Sequence, residues 1–303
     1  MLLRALAAAL GAMLVWRVAS ARRVERATAA RLRTGADGIV PGAGPIDLRA
    51  EHAREGVLLL HGFGDTPQTL GYLAGELHSR GYGVLAPLLP GHGRTLQAFA
   101  RSRGDEWIAA AREAHGELTR RHDRVAIVGL SMGGALAATV AAREKELRAL
   151  VLLAPYLDAP TAVRRLAAAR HLVGATTSYV AASDERSILD PAERARSLGY
   201  RTATPRLLYE LVGIADRGRA ALGLVTAPTL IIQSRQDGRV APAVAERALQ
   251  ALGSSVKQLE WLDGCGHVIT VDYQRDRVAQ LVSDWLDDML RSASSASAAE
   301  QGR

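Results

Sequence analysis

Between residues 56 and 290, short apolar runs alternate with stretches of helical periodicity, and this alternation leaves few architectures open. Residues 57–60, 84–89, 125–130 (VAIVGL), 149–154 (ALVLLA), 229–233 (TLIIQ) and 257–262 read as strands. Most are apolar at every position rather than at every second one, which is the pattern of strands covered on both faces, as in a parallel sheet. Helical patterns fall between them, over 67–80, 105–121, 135–145, 242–252 and 272–290. In the first of these Leu70, Leu73 and Leu77 share a face and Gly81 marks the stop. Strands alternating with helices predict an α/β fold, a mostly parallel sheet with helices on both faces. Residues 156–227 break the rhythm, with helical stretches but no clear strand. An insertion after a strand's carboxyl end belongs over the ligand crevice, so a small helical lid is expected there.

The strand at 125–130 runs into Gly129-Leu130-Ser131-Met132-Gly133-Gly134, a G-x-S-x-G string at a strand-to-helix junction. Such a turn exposes a serine hydroxyl at the top of a sheet, and its glycines admit a strained backbone and close neighbours. The rival reading, a phosphate-cradling loop, lacks both the Lys-Ser/Thr ending and the G-x-G-x-x-G spacing. A serine hydroxyl needs a general base, and the base an orienting carboxylate. Of eight histidines, His52, His78, His115 and His122 lie among charged neighbours on helices or linkers and are expected to be solvated. His171 falls in the insertion, and His61 and His92 sit in Gly-rich turns that precede the serine. His267 follows the last strand and is the expected base. Asp237, directly after TLIIQ, is the expected acid, with Asp158 as the fallback; Asp263 is too near His267 in sequence to reach its far ring nitrogen. Two backbone amides, Met132 after the serine and Phe63 in His61-Gly62-Phe63-Gly64, are placed to hold a developing oxyanion. No second ligand stands at metal-binding spacing from His61, so no metal is expected. The single cysteine, Cys265, excludes an internal disulfide framework and reads as a small buried hydrophobe.

These landmarks resemble the α/β-hydrolase superfamily, and within it the bacterial carboxylesterases and monoacylglycerol lipases. The shared segments are LLLHGFGDTP (59–67), LPGHG (89–93), DEW (105–107), GLSMGG (129–134), QSRQDGRVAP (233–242) and GHVITVD (266–272), in that order over residues 56–290. The resemblance implies a cofactor-free hydrolase that cleaves short- to medium-chain carboxylic esters or monoacylglycerols through an acyl-enzyme. Ser131 would be the nucleophile, Asp237 the acid and His267 the base, with the Phe63 and Met132 amides as oxyanion donors. The same three side chains serve thioesterases, acyltransferases and peptidases, and fold-level likeness does not separate these. A non-catalytic binding module is the remaining alternative, but such relatives lack part of the triad.

Charge and the amino terminus complete the reading. The formal charge is +7, but residues 1–50 hold eight arginines against Glu25, Asp37 and Asp47, so the excess is concentrated there. The rest of the chain has no basic stripe and only Lys145 and Lys257 as lysines, which argues against a nucleic-acid partner. Residues 5–16, ALAAALGAMLVW, are apolar or small between Arg4 and Arg17. As a helix this run spans roughly 18 Å against about 30 Å of bilayer hydrocarbon. It suits a signal peptide, with Ala19-Ser20-Ala21 as its cleavage site, or an uncut anchor whose basic continuation lies on the membrane surface. Residues 1–21 are therefore expected to be a signal peptide or membrane anchor, and 22–55 a basic linker. The catalytic domain follows at 56–290, with a disordered tail over 291–303. Export or membrane attachment follows from this, with a cytosolic buried helix as the alternative.

Overall fold

The structure, a computed structural model, describes residues 1–182 and 187–291, so the expected tail lies almost wholly outside the described residues. Helix α1 (Leu2–Arg31) leads to a short strand β1 (Ile46–Leu48) and then to β2 (Glu55–Leu60). A 3-10 turn (Pro67–Leu70), with the Thr66 hydroxyl accepting from the Gln68 amide, opens α2 (Gly71–Ser79). Next come β3 (Gly83–Ala86), α3 (Leu96–Arg101), α4 (Gly104–Thr119), β4 (Arg124–Leu130), α5 (Met132–Ala141) and β5 (Ala149–Leu153). The insertion holds α6 (Thr161–Ala168), α7 (Arg170–Thr176), β6 (Val180–Ala181), α8 (Pro191–Arg196), β7 (Thr202–Ala203) and α9 (Pro205–Ala221). The chain then returns to the sheet through β8 (Thr229–Ser234), α10 (Ala243–Ala251), β9 (Lys257–Leu262) and α11 (Arg275–Leu290).

The seven main strands are ordered β1-β3-β2-β4-β5-β8-β9, all parallel except β1, which runs antiparallel to β3. Every position of β3, β5 and β8 is buried, as expected for strands with helices on both faces. One apolar layer unites β2, β4, α4, α5 and α9; the other packs α2 and α11 against the opposite face. The register pairs Leu60 with Gly129, Leu130 with Leu153 and Ser234 with Leu262, so the carboxyl ends that carry the singled-out residues lie at one edge.

Several boundaries differ from the sequence reading for identifiable reasons. β3 stops at Ala86 because Pro87 has no amide to continue the ladder. α5 begins at Met132 rather than 135, the glycines at 133 and 134 fitting its tightly packed first turn. The segment expected as linker contributes Leu32, Val40 and Ala43 to the core and β1 to the sheet. Within the insertion, β6 and β7 form a two-stranded antiparallel ribbon where no strand was expected. His115 is buried at 5% exposure, not solvated, and His122 is half-buried with its Nδ1 at 2.9 Å from the Ala53 carbonyl. Arginines of the insertion are held in ion pairs and backbone contacts. Arg164 reaches Asp158 and Asp216 at 2.9 and 2.8 Å, and Arg206 reaches Glu210 at 3.1 Å and the Ser102 carbonyl at 2.8 Å.

Candidate active site

Ser131 stands between β4 and α5 with φ 56° and ψ −117°, a left-handed conformation that a non-glycine residue adopts only when its surroundings enforce it. Its amide donates to Leu153 O at 2.9 Å, and its carbonyl accepts from Gly134 and Tyr156, at 2.9 and 3.0 Å. A Cβ on Gly129 would collide with the Gly133 carbonyl, and one on Gly133 with the Leu60 carbonyl, so glycine is required at both. The turn is thereby pressed against the end of β2.

Beyond Ser131 runs a line of side chains from three strand ends. His267 Nε2 lies 2.8 Å from Ser131 Oγ, and His267 Nδ1 lies 2.7 Å from Asp237 Oδ2. An ionised carboxylate only accepts, so Nδ1 carries the proton and Nε2 is free to take one from the serine. The Asp237 side chain is fully buried. Its Oδ1 accepts from the Arg239 and Val240 amides at 2.7 and 2.9 Å, and its Oδ2 also accepts from Gln233 Nε2 at 2.9 Å. Burial pushes this carboxyl up, but the His267 ring and the two amides outweigh it and hold it below the usual carboxylate range. Asp158, the fallback acid, is instead shared by Arg164, Arg219 and Arg247.

On the other side of the serine lies the loop after β2, where a Cβ on Gly62 would stand 3.4 Å from Ser131 Cβ. Among the described residues neither the Phe63 nor the Met132 amide has an acceptor, leaving two donors beside the hydroxyl. The Phe63 ring is held by Phe99 and Trp107, with centroids 5.2 and 6.0 Å away. Behind this loop His61 is fully buried. Its Nε2 accepts from the Leu89 amide at 3.1 Å and its Nδ1 faces the Gly62 carbonyl at 2.9 Å. Burial lowers its pKa to about 4, only partly offset by that carbonyl. Among the described residues no three His, Cys, Asp or Glu side chains gather as metal ligands.

A cavity of about 420 Å³ opens beside Ser131 and His267. Phe63, Tyr156, Val163, Leu166, Leu208 and Leu211 give it a largely apolar wall. Leu207, next to Leu208 on α9, is fully buried in the core and does not line it.

The sequence also left Asp272 unassigned. This buried carboxylate accepts from four amides: Gly266 at 2.7 Å, Leu189 at 2.8 Å, and Asp190 and Tyr273 at 2.9 Å. It ties the His267 loop to the insertion, and Val268 N adds a bond to Ser187 O at 2.8 Å. Asp272→Ala strands several buried donors and should cost about 3 kcal/mol in urea unfolding, with kcat falling because His267 loses its support. Unchanged stability in that variant would remove Asp272 from this role.

A model of the family described as serine aminopeptidase, S33, matches residues 51–274. The chain belongs to that family. A thermostable monoacylglycerol lipase from Bacillus sp. (strain H-257) is 29% identical over 242 residues, covering 80% of this chain and 93% of the relative. A carboxylesterase from Bacillus subtilis (strain 168) is 24% identical over 235 residues, covering 77% and 92%. Among solved structures, a metagenome-derived lipolytic enzyme superposes with a TM-score of 0.74 at 29% identity, over 82% of this chain and 99% of that one. The monoacylglycerol lipase of Paleococcus ferrophilus, at 20% identity and TM-score 0.71 over 81% of this chain and 98% of that one, shares the fold. The protein is an α/β-hydrolase of the lipase and esterase type.

Proposed function

We propose that this hydrolase cleaves short- to medium-chain acyl esters or monoacylglycerols through an acyl-enzyme on Ser131. His267 takes the serine proton as Oγ attacks the ester carbonyl, and Asp237 stabilises the imidazolium that forms. The Phe63 and Met132 amides hold the carbonyl oxygen as it becomes an oxyanion, Met132 from the positive end of α5. Collapse of the tetrahedral intermediate returns the proton to the leaving alkoxide; water then repeats the sequence to release the acid. Residues 156–227 act as the lid.

The observation that carries the choice of substrate is the apolar wall of the cavity beside Ser131. The family's description names an aminopeptidase, whose substrate presents a free ammonium that needs a carboxylate. Among the described residues Asp65 is the one acid lining this cavity, and its Oδ1 already accepts from the Thr66 amide at 2.9 Å. An acyl chain fits the remaining surface better. The volume lies near the small end of ligand pockets, which favours chains shorter than those of common triglycerides. The apolar first half of α1 supports attachment to a membrane rather than a freely soluble enzyme.

The test is kcat/KM across p-nitrophenyl esters and monoacylglycerols of rising acyl length, with aminoacyl anilides alongside. Each methylene accommodated should add up to ~0.8 kcal/mol until the cavity ends, after which the constant should fall. Leu211→Trp, which narrows the wall, should move the optimum to shorter chains. An unmoved optimum would take Leu211 out of the acyl site, and a preference for anilides would make the chain a peptidase.

A further inference from the structure

Helix α1 changes character at Arg17. Every described side chain from Met1 to Trp16 is exposed, Leu6 at 61% and Trp16 at 65% among them, and the best 18-residue window has a mean hydropathy of 1.4. From Arg17 onward one face is shielded: Arg17, Ser20, Ala21, Val24, Glu25, Thr28 and, just beyond the helix, Leu32. Steps of three and four residues make this a single stripe, although only Val24 and Leu32 are bulky and apolar. The stripe docks on the insertion. Arg17 Nε donates to Ser178 Oγ at 3.4 Å, the Tyr179 hydroxyl donates to Glu25 Oε1 at 2.8 Å, and Arg31 donates to Ser197 O at 3.3 Å. Val180 and Ala181, which follow at once, form part of the wall of the cavity beside Ser131.

Beside the docked stripe, between α1 and the start of α3, lies a groove of about 570 Å³. Arg22, Arg26, Arg33 and Arg94 line it, with Glu25 as the one acid among its lining residues, already bonded to Tyr179. None of the four guanidiniums has a carboxylate partner among the described residues, unlike most arginines of the insertion. Arg22 follows Trp16 by about 9 Å of helix, the distance from the edge of the hydrocarbon into the headgroup layer. Unpaired guanidiniums directly beyond an exposed apolar helix complement a surface of lipid phosphates.

We propose that α1 is retained as a membrane anchor and that the arginine groove takes the phosphates of an anionic bilayer, holding the insertion and its share of the acyl cavity at the lipid surface. Retention follows from the docking face, since a cut after Ala21 would remove Arg17, Ser20 and Ala21 from it. That the surface also supplies the substrate rests on the ester-hydrolase reading; the lipid binding does not.

The experiment uses the full chain and phosphatidylcholine vesicles with or without phosphatidylglycerol, reading binding by co-sedimentation and, separately, hydrolysis of dissolved p-nitrophenyl butyrate. Wild type should bind the anionic vesicles at least about tenfold more tightly. Replacing Arg22, Arg26, Arg33 and Arg94 together by Gln should abolish that difference while leaving butyrate hydrolysis unchanged. Equal binding of both vesicles by wild type, or undiminished anionic preference in the variant, overturns the proposal. Inorganic phosphate that competes fully at matched ionic strength would make the groove a free-anion site and overturn it as well. So would a mature chain whose mass shows cleavage after Ala21. Loss of all ester hydrolysis with lipid binding intact would instead remove the substrate reading alone.

Discussion

Ser131→Ala should abolish covalent labelling by a fluorophosphonate and lower kcat by about four to six orders of magnitude. The geometry gives the reason. Ser131 Oγ is the one hydroxyl at 2.8 Å from His267 Nε2, and the opposite ring nitrogen is fixed at 2.7 Å from a buried carboxylate. Removing the hydroxyl leaves base and oxyanion donors with nothing to activate. His267→Ala should cost about as much, because the serine loses its proton acceptor. Asp237→Asn should cost somewhat less, though it is disruptive for a second reason. The carboxylate accepts from His267, Gln233, Arg239 and Val240, and an amide has one oxygen to offer these four donors. Combining Ser131→Ala with His267→Ala should add little, since residues that act as a unit lose their effect together. A labelled or fully active Ser131→Ala protein would place the nucleophile elsewhere.

Acid should unfold this protein sooner than its surface charge suggests, through the buried histidines behind the oxyanion loop. His61 titrates near 4 instead of 6.5 because burial disfavours its charged form. His92, 5.0 Å away by ring centroid, is held well below its ordinary value by burial and by His61. Folding thus favours the neutral rings, and the folded chain binds fewer protons than the unfolded one below pH 6.5. The stability involved is fully present above about 6.5 and disappears as the pH falls through about 4. For His61 alone that interval corresponds to about 3 kcal/mol. Urea unfolding from pH 7.5 down to 4.5 should therefore show a steep loss. His61→Asn leaves the Leu89 amide less well paired and should start lower at pH 7.5, yet its stability should fall by one proton's worth less per pH unit. Parallel profiles for the two proteins would show that His61 does not titrate as its burial demands.

The parts of the fold that were legible in the sequence are those where burial acts on side chains. Strands covered on both faces must be apolar throughout, so β2, β4, β5 and β8 declared themselves in single runs. β1 did not, because three residues at a sheet edge inside a Gly- and Pro-rich stretch carry no periodicity. The docking stripe of α1 was hidden for a related reason: Ser20, Ala21 and Thr28 fit a close helix contact without signalling it by hydrophobicity. At the site, Ser131, Asp237 and His267 could be singled out by side-chain chemistry and by position after strands. The supports of these residues could not. Arg239 and Val240 serve Asp237 through backbone amides, which any residue type provides. Asp272 acts by side chain, but its partners at 189 and 190 come from a distant stretch of chain and meet it only in the folded structure.

The placement of Ser131, Asp237 and His267 after β4, β8 and β9 also governs when the proposed triad can assemble. Ser131 and His267 are 136 positions apart, and the strands that carry them are separated in the sheet by β5 and β8. Contacts between such remote parts of a chain pay the full entropy of loop closure before they return anything. On the ribosome Ser131, its turn and the Gly62 loop emerge while His267 is still unmade. With Ser131 and His267 in the proposed roles, a nascent chain carries an inert serine and gains hydrolytic power only after the carboxyl-terminal strand has been synthesised and has closed the sheet's far edge.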